Sequence, residues 1–331
     1  METIYNSTPT DIQQQVQALI LLKAFDNICA KARGRFRIVP LKGIDLMRSL
    51  YSDTLDRELK DIDLLIIPTE RAKDFIKILQ QDGYRPEFSF ALDDAAFRKK
   101  MKVSMIPRSE RLPNIDVHLT LITKKFFSST INGFNQDSLS RLKIVDEVVS
   151  TLDDVDRWLF LATHLTFHYL VGDKWYRDLA LLMDHFDTEE LSKLLIRTKQ
   201  YNFERVVYAV CTRLQSKYPG IAYQMDIDRV LPNKSEKRFM RYIKYMTANP
   251  KRLGHGLRVA RYYWELILIS KKRQRQRAFA KILFPSLGNM QNIYRCNTMF
   301  AILLYLPNLL MNMLGIFLFS VHYYIVTTVN R

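Results

Sequence analysis

Asp61 and Asp63 stand one residue apart at the head of an apolar run, DIDLLII, and Asp116 sits inside a second run, NIDVHLTL. A β-strand turns successive side chains to opposite faces, so Asp61 and Asp63 share a face while Ile62 and Leu64 point into a core. In the second run Asp116 and His118 share one face and Ile115, Val117 and Leu119 the other. Neighbouring carboxylates repel, and the common offset is a divalent cation with oxygen ligands. Ahead of both runs, Lys42-Gly43 ends an apolar stretch and opens a helical one. A residue without a side chain at a helix N-terminus lets phosphate oxygens approach the backbone. Three carboxylates beside such a turn can hold two Mg²⁺ ions that bridge a triphosphate and an attacking hydroxyl, the arrangement for in-line phosphoryl or nucleotidyl transfer. Asp61, Asp63 and Asp116 are therefore the candidate metal ligands and catalytic residues, with Lys42 and Gly43 as phosphate contacts.

These residues need strands and a helix to hold them. Apolar spacing predicts a helix over residues 11–32, a short strand from Arg37 to the glycine at 43, and a helix from Ile44 to Tyr51. A polar loop, 52–60, leads to a strand from Asp61 to Ile67. Thr69 to Asp82 reads as an amphipathic helix, capped by Thr69 and closed at Gly83. Further strands are expected at 88–90, 103–106 and 115–121. The alternation suits a small mixed sheet with helices against it, and the pattern turns helical after about Ser150. The fold class is thus α+β: residues 1–150 a catalytic domain with a small mixed sheet, 151–285 a helical region, and 286–331 an apolar tail.

With 331 residues the chain can bury a full core. Its net charge of +16 favours polyanionic partners such as nucleoside triphosphates, nucleic acid or anionic lipid. Cys29, Cys211 and Cys296 are too scattered for a disulfide framework or a zinc site, which suggests reduced thiols in the cytoplasm. The N-terminal residues carry no secretory pattern. Residues 251–281 hold ten Lys or Arg and one acid, Glu265, and no charged residue follows from Cys296 to Asn330. A polybasic segment before an apolar tail fits the anionic cytoplasmic face of an inner membrane. Pro307-Asn308 and Asn312 interrupt the tail, leaving open one kinked span, a re-entrant hairpin or a pair of buried helices.

The run LKGIDLMRSLYSDTLDRELKDIDLLI, residues 41–66, resembles the signature of the uncharacterised bacterial nucleotidyltransferase family of the polymerase-beta-like superfamily. The residues that carry it are Leu41, Lys42, Gly43, Tyr51, Arg57, Asp61, Asp63, Leu64 and Leu65. IDVHLTL is similar to the family's acidic-x-His strand, and residues 164–185 to its helical segment with Trp175 and Asp178-Leu179. The resemblance covers roughly residues 15–185. It implies a minimal nucleotidyltransferase fold, a metal-bound NTP and transfer of a nucleotidyl group. Ile44 stands where the superfamily commonly has Ser or Gly, so the γ-phosphate contact is expected from Lys42 or Arg57.

Other polar residues have plainer expectations. Arg57 is as well suited to an ion pair with Glu58 or Asp61 as to NTP. His118 is expected to satisfy Asp116, and Asp178 to hold a neighbouring basic side chain. His164 and His168 share a helical face without a third ligand, which suggests packing. The preferred acceptor is a hydroxyl of a protein, glycan or lipid intermediate. The alternatives are a non-catalytic nucleotide sensor or scaffold at the membrane, and a toxin-like transferase acting on tRNA.

Overall fold

A computed structural model describes residues 12–52, 56–87, 102–109, 112–122, 128–222, 230, 239, 241–243, 245, 266–269, 271–285, 287, 290 and 298–329. The chain is mixed α+β, with a five-stranded sheet in the N-terminal part and a helix-rich remainder. It falls into two compact units, the first made of residues 1–123, 131–161 and 173–190, and the second of 124–130, 162–172 and 191–331.

In the first unit helix α1 (Ile12–Ala32) leads to β1 (Arg37–Leu41), α2 (Gly43–Leu50) and β2 (Asp61–Ile67). A 3₁₀ turn, Thr69–Arg71, precedes α3 (Ala72–Gln81), followed by β3 (Tyr84–Pro86), β4 (Lys102–Pro107) and β5 (Asn114–His118). The spatial order is β1-β2-β5-β4-β3, with β2 and β5 parallel and the other pairs antiparallel. One face is apolar: Ile38, Ile62, Leu64, Ile66, Val103, Met105, Ile115 and Val117 pack against Leu21, Phe25 and Ile28 of α1 and Phe75, Ile76 and Leu79 of α3. Alternation then obliges the opposite face to carry the acids.

Thr69 does not cap the helix. Its hydroxyl donates to Glu70 Oε1, and α3 starts at Ala72 behind an N-cap residue, Arg71, that makes no side-chain cap bond. Pro68 leads the chain into a tight 3₁₀ turn, and the helix begins after it. Gly83 does close the helix, at φ +83°, where a side chain would be strained. The strand expected at 88–90 lies outside the described residues. Strand β3 was not foreseen, because three residues are too few for alternation to show.

Helix α4 (Ser128–Ser140), the β6 (Lys143–Ile144) and β7 (Ser150–Thr151) pair, α5 (Asp154–Phe167) and α6 (Asp173–Asp184) follow. The first unit runs past residue 150, because α6 folds back onto it: Trp158 Nε1 donates to the Leu179 carbonyl at 3.3 Å. Arg157 meets Asp45 of α2 at 2.9 Å, and Thr151 Oγ1 donates to the same carboxylate.

The second unit contains most of α7 (Thr188–Gln200), α8 (Glu204–Lys217), α9 (Lys272–Leu283), α10 (Thr298–Leu303) and α11 (Tyr305–Val329). Arg205 donates to the Ile267 carbonyl and lies 4.6 Å from the Phe239 ring centroid. The tail is interrupted at Leu304, between α10 and α11, and Pro307 lies just beyond. The proline falls in the first turn of α11, where the missing N–H would have no helical partner, and Asn308 N–H bonds Leu304 C=O at 3.0 Å. The span 305–325 is long and apolar enough to cross a membrane by length and composition. The His164 and His168 rings lie 4.6 Å apart, and among the described residues no group of three metal-capable side chains includes them. Cys29 and Cys211 are free thiols, and Cys296 lies outside the described residues.

Candidate active site

The acidic face of the sheet is assembled by register. Asp63 on β2 stands directly opposite Asp116 on β5, and Leu41, the last residue of β1, opposite Asp63. The turn after β1 therefore brings Lys42 to Asp63, with Nζ 2.7 Å from Oδ1. His118 Nε2 lies 2.9 Å from the same oxygen. On the other side β4 sets Ser104 opposite Asp116, whose Oδ1 accepts from Ser104 Oγ at 2.6 Å and whose Oδ2 accepts from Lys102 Nζ at 2.5 Å.

Asp63 and His118 are buried and Asp116 is largely covered, whereas Asp61 reaches solvent. Burial alone would raise the Asp63 pKa, but the Lys42 charge and the His118 hydrogen bond overcome it and hold the carboxyl well below its usual range. Asp61 moves the other way. The protein crowded around it and then the Asp63 charge raise its pKa, against a smaller opposing pull from Lys42.

A ligand atom from each of Asp63, Asp116 and His118 lies within 4.8 Å of the other two. Two carboxylates offer hard oxygen ligands of the kind Mg²⁺ prefers, and an imidazole extends the set toward transition metals. His118 Nδ1 is buried without a hydrogen-bond partner, so the ring has one nitrogen to spare. The donor set thus fits a divalent cation. Asp61 stays outside this group, although the charges of Asp63 and Asp116 reach it.

Several expectations change at close range. His118 engages Asp63 rather than Asp116: Leu65 is its direct partner, so the ring reaches diagonally across to Asp63, while Lys102 and Ser104 take the two oxygens of Asp116. Arg57 pairs with neither Glu58 nor Asp61. Its Nε and Nη2 donate to the two oxygens of Asp178, at 2.9 and 2.7 Å, a two-pronged pair that is almost wholly buried. Asp178 does hold a basic side chain, as expected, and also accepts from Tyr51 Oη at 2.8 Å. Burial followed by the Asp178 charge raises the Tyr51 pKa.

Gly43 has a packing reason of its own. A Cβ there would come within 2.7 Å of Leu59 Cδ2 and 3.3 Å of Arg57 Nη1. Lys42, just before it, takes φ 55° and ψ −121°, a backbone state that residues with a side chain rarely adopt. The turn that delivers Lys42 to Asp63 is thus strained, and Arg57 and Leu59 back it. Lys102 and Ser104 were missed as site residues. The polar, apolar, polar alternation of Lys102-Val103-Ser104 was their only signal in the sequence.

No curated protein matches the chain. The model of a family described as an uncharacterised nucleotidyltransferase matches residues 10–218, which takes in the whole acidic face, the strained turn and Asp178. The chain belongs to this nucleotidyltransferase family and is an enzyme that transfers nucleotide groups.

Proposed function

We propose that the protein moves a nucleoside monophosphate from an NTP to an acceptor hydroxyl, using Mg²⁺ held by Asp63, Asp116 and His118. The observation that carries this reading is the in-register pairing of Asp63 with Asp116, which puts two carboxylates and an imidazole within reach of one cation. A cation bound there would draw charge from phosphate oxygens and from the attacking hydroxyl. Asp61, at the solvent edge, is the proposed carboxylate for a second ion.

In the transfer, the acceptor oxygen bonds to the α-phosphorus as the bond from that phosphorus to the pyrophosphate oxygen breaks. The electron pair leaves with pyrophosphate, and the hydroxyl proton passes to Asp116. Lys42 and the first N–H groups of α2 are the proposed contacts for the β- and γ-phosphates, since a helix N-terminus and an ammonium both favour negative charge. Arg57 is occupied by Asp178, and its proposed part is to hold the turn at Gly43 from behind.

The test is incubation of the full chain with Mg²⁺, each of four α-labelled NTPs, and separate protein, lipid, glycan and RNA fractions, beside Asp63→Asn and Asp116→Asn. Label passing into protein, lipid or glycan with the wild type alone supports the reading. Label in RNA redirects the acceptor. Equal transfer by the variants overturns the site.

A further inference from the structure

Helix α11 is patterned inside out. Its polar and small residues Asn308, Asn312 and Gly315 are buried, and His322 and Tyr323 half-buried, along one stripe. Leu306, Leu310, Met313, Phe317, Val321 and Tyr324 recur every three or four residues on the opposite side and are exposed. A helix packed onto a water-soluble core buries its apolar stripe; here that stripe faces outward. Such a surface has lost its usual solvent and calls for an apolar one.

The helix is also pinned at two points along its length. Asn312 Nδ2 donates to the Ile282 carbonyl of α9 at 3.0 Å. Ten residues on, about 15 Å along the axis, Tyr242 meets Tyr323 at 4.9 Å and His322 at 6.2 Å between ring centroids. Helix α9, which holds the first point, exposes Lys272, Arg273, Arg277 and Lys281. There is no Asp or Glu from residue 266 to the end of the sequence. Driving α11 across a bilayer would carry its anchor on α9, next to Lys281, into hydrocarbon, where charge is costly. Lying in the interface avoids this, with acyl chains against the apolar stripe and headgroups against the cations.

We infer that α9 and α11 form an in-plane docking surface for an anionic lipid bilayer, on which the chain rests without crossing. This holds independently of the transfer chemistry. It also chooses a topology for the tail that none of the readings of its proline and asparagines included.

The test is flotation of the full chain, freed of detergent in the presence of closed vesicles, with phosphatidylcholine alone or mixed with phosphatidylglycerol. Binding is expected on the mixed vesicles, falling about tenfold or more when phosphatidylglycerol is left out or salt is raised. Arg273→Glu with Arg277→Glu is expected to weaken it similarly, and Phe317→Glu, at an exposed position, to abolish it. A tag after Arg331 is expected to remain open to protease added outside. Equal binding to neutral vesicles removes the role of α9 and overturns the inference. A tag protected inside the vesicles shows a spanning helix and overturns it as well. A lipid-free dimer that loses its contact on Phe317→Glu assigns the stripe to a second copy instead.

Discussion

Arg57 and Asp178 lie 121 positions apart in sequence and form a two-pronged ion pair with almost no contact with water. Their joint burial makes each the condition of the other. Removing one partner strands a charge in the interior, a loss of about 3–5 kcal/mol, whereas replacing both with apolar residues of similar volume can be close to neutral. Asp178→Ala is therefore expected to lower stability in urea by an amount in that range. Arg57→Met with Asp178→Leu is expected to recover most of it. Full additivity of the two single changes would show that the pair is not a unit.

Lys42 combines a useful side chain with an unfavourable backbone. Lys42→Ala removes the ammonium and keeps the strain; Lys42→Gly removes both. The glycine variant is expected to be more stable than the alanine variant by about 1–2 kcal/mol, with the same loss of transfer activity in each. Equal thermal stability of the two would mean that the turn relaxes without Lys42.

Divalent cation is expected to stabilise the wild type in thermal melts, by about 2.7 kcal/mol at a hundred times its dissociation constant. Asp63→Asn and Asp116→Asn are expected to lose this effect along with about a hundredfold or more of the transfer rate. Chelation should abolish transfer, and Mg²⁺ restore it. An undiminished cation shift in Asp116→Asn would place the ion elsewhere.

Tyr51 offers a pH signature. Its pKa is raised in the fold by burial and Asp178, so above the ordinary value of 10.0 the unfolded chain loses a proton that the folded one keeps. The group's stabilising effect is complete below that pH and is lost as pH rises above it, at about 1.4 kcal/mol per pH unit. Tyr51→Phe gives up the hydrogen bond, worth about 1 kcal/mol at neutral pH, but has no such slope. The stability gap between the two proteins should therefore close between pH 10 and about 11. A constant gap would mean that Tyr51 ionises freely in the fold.

The elements that carry the site were legible because their signals are local. Alternation in DIDLLII, bounded by polar residues and Pro68, marks β2 from Asp61 to Ile67 with the observed bounds. The same alternation reveals Asp116 and His118 on one face. What joins these pieces is the order β1-β2-β5-β4 and the register that sets Asp63 against Asp116, and no local pattern encodes a pairing between distant strands. The partners of His118 and Arg57 were hidden for that reason. In the tail, Asn308 and Asn312 looked like interruptions of an apolar run. They are buried in the helix, and Asn312 anchors it to α9.

The first unit is discontinuous along the chain, and this sets a timetable for its birth. At about 5–20 residues per second, the ribosome delivers Asp178 about 6–24 s after Arg57. Through that interval the guanidinium has no carboxylate to enter the interior with, so the chain around Gly43 and Leu59 must wait in water while the strands on either side are already available to pair. The support that Arg57 gives the turn at Gly43 is thus completed late, after residues well beyond the sheet have emerged.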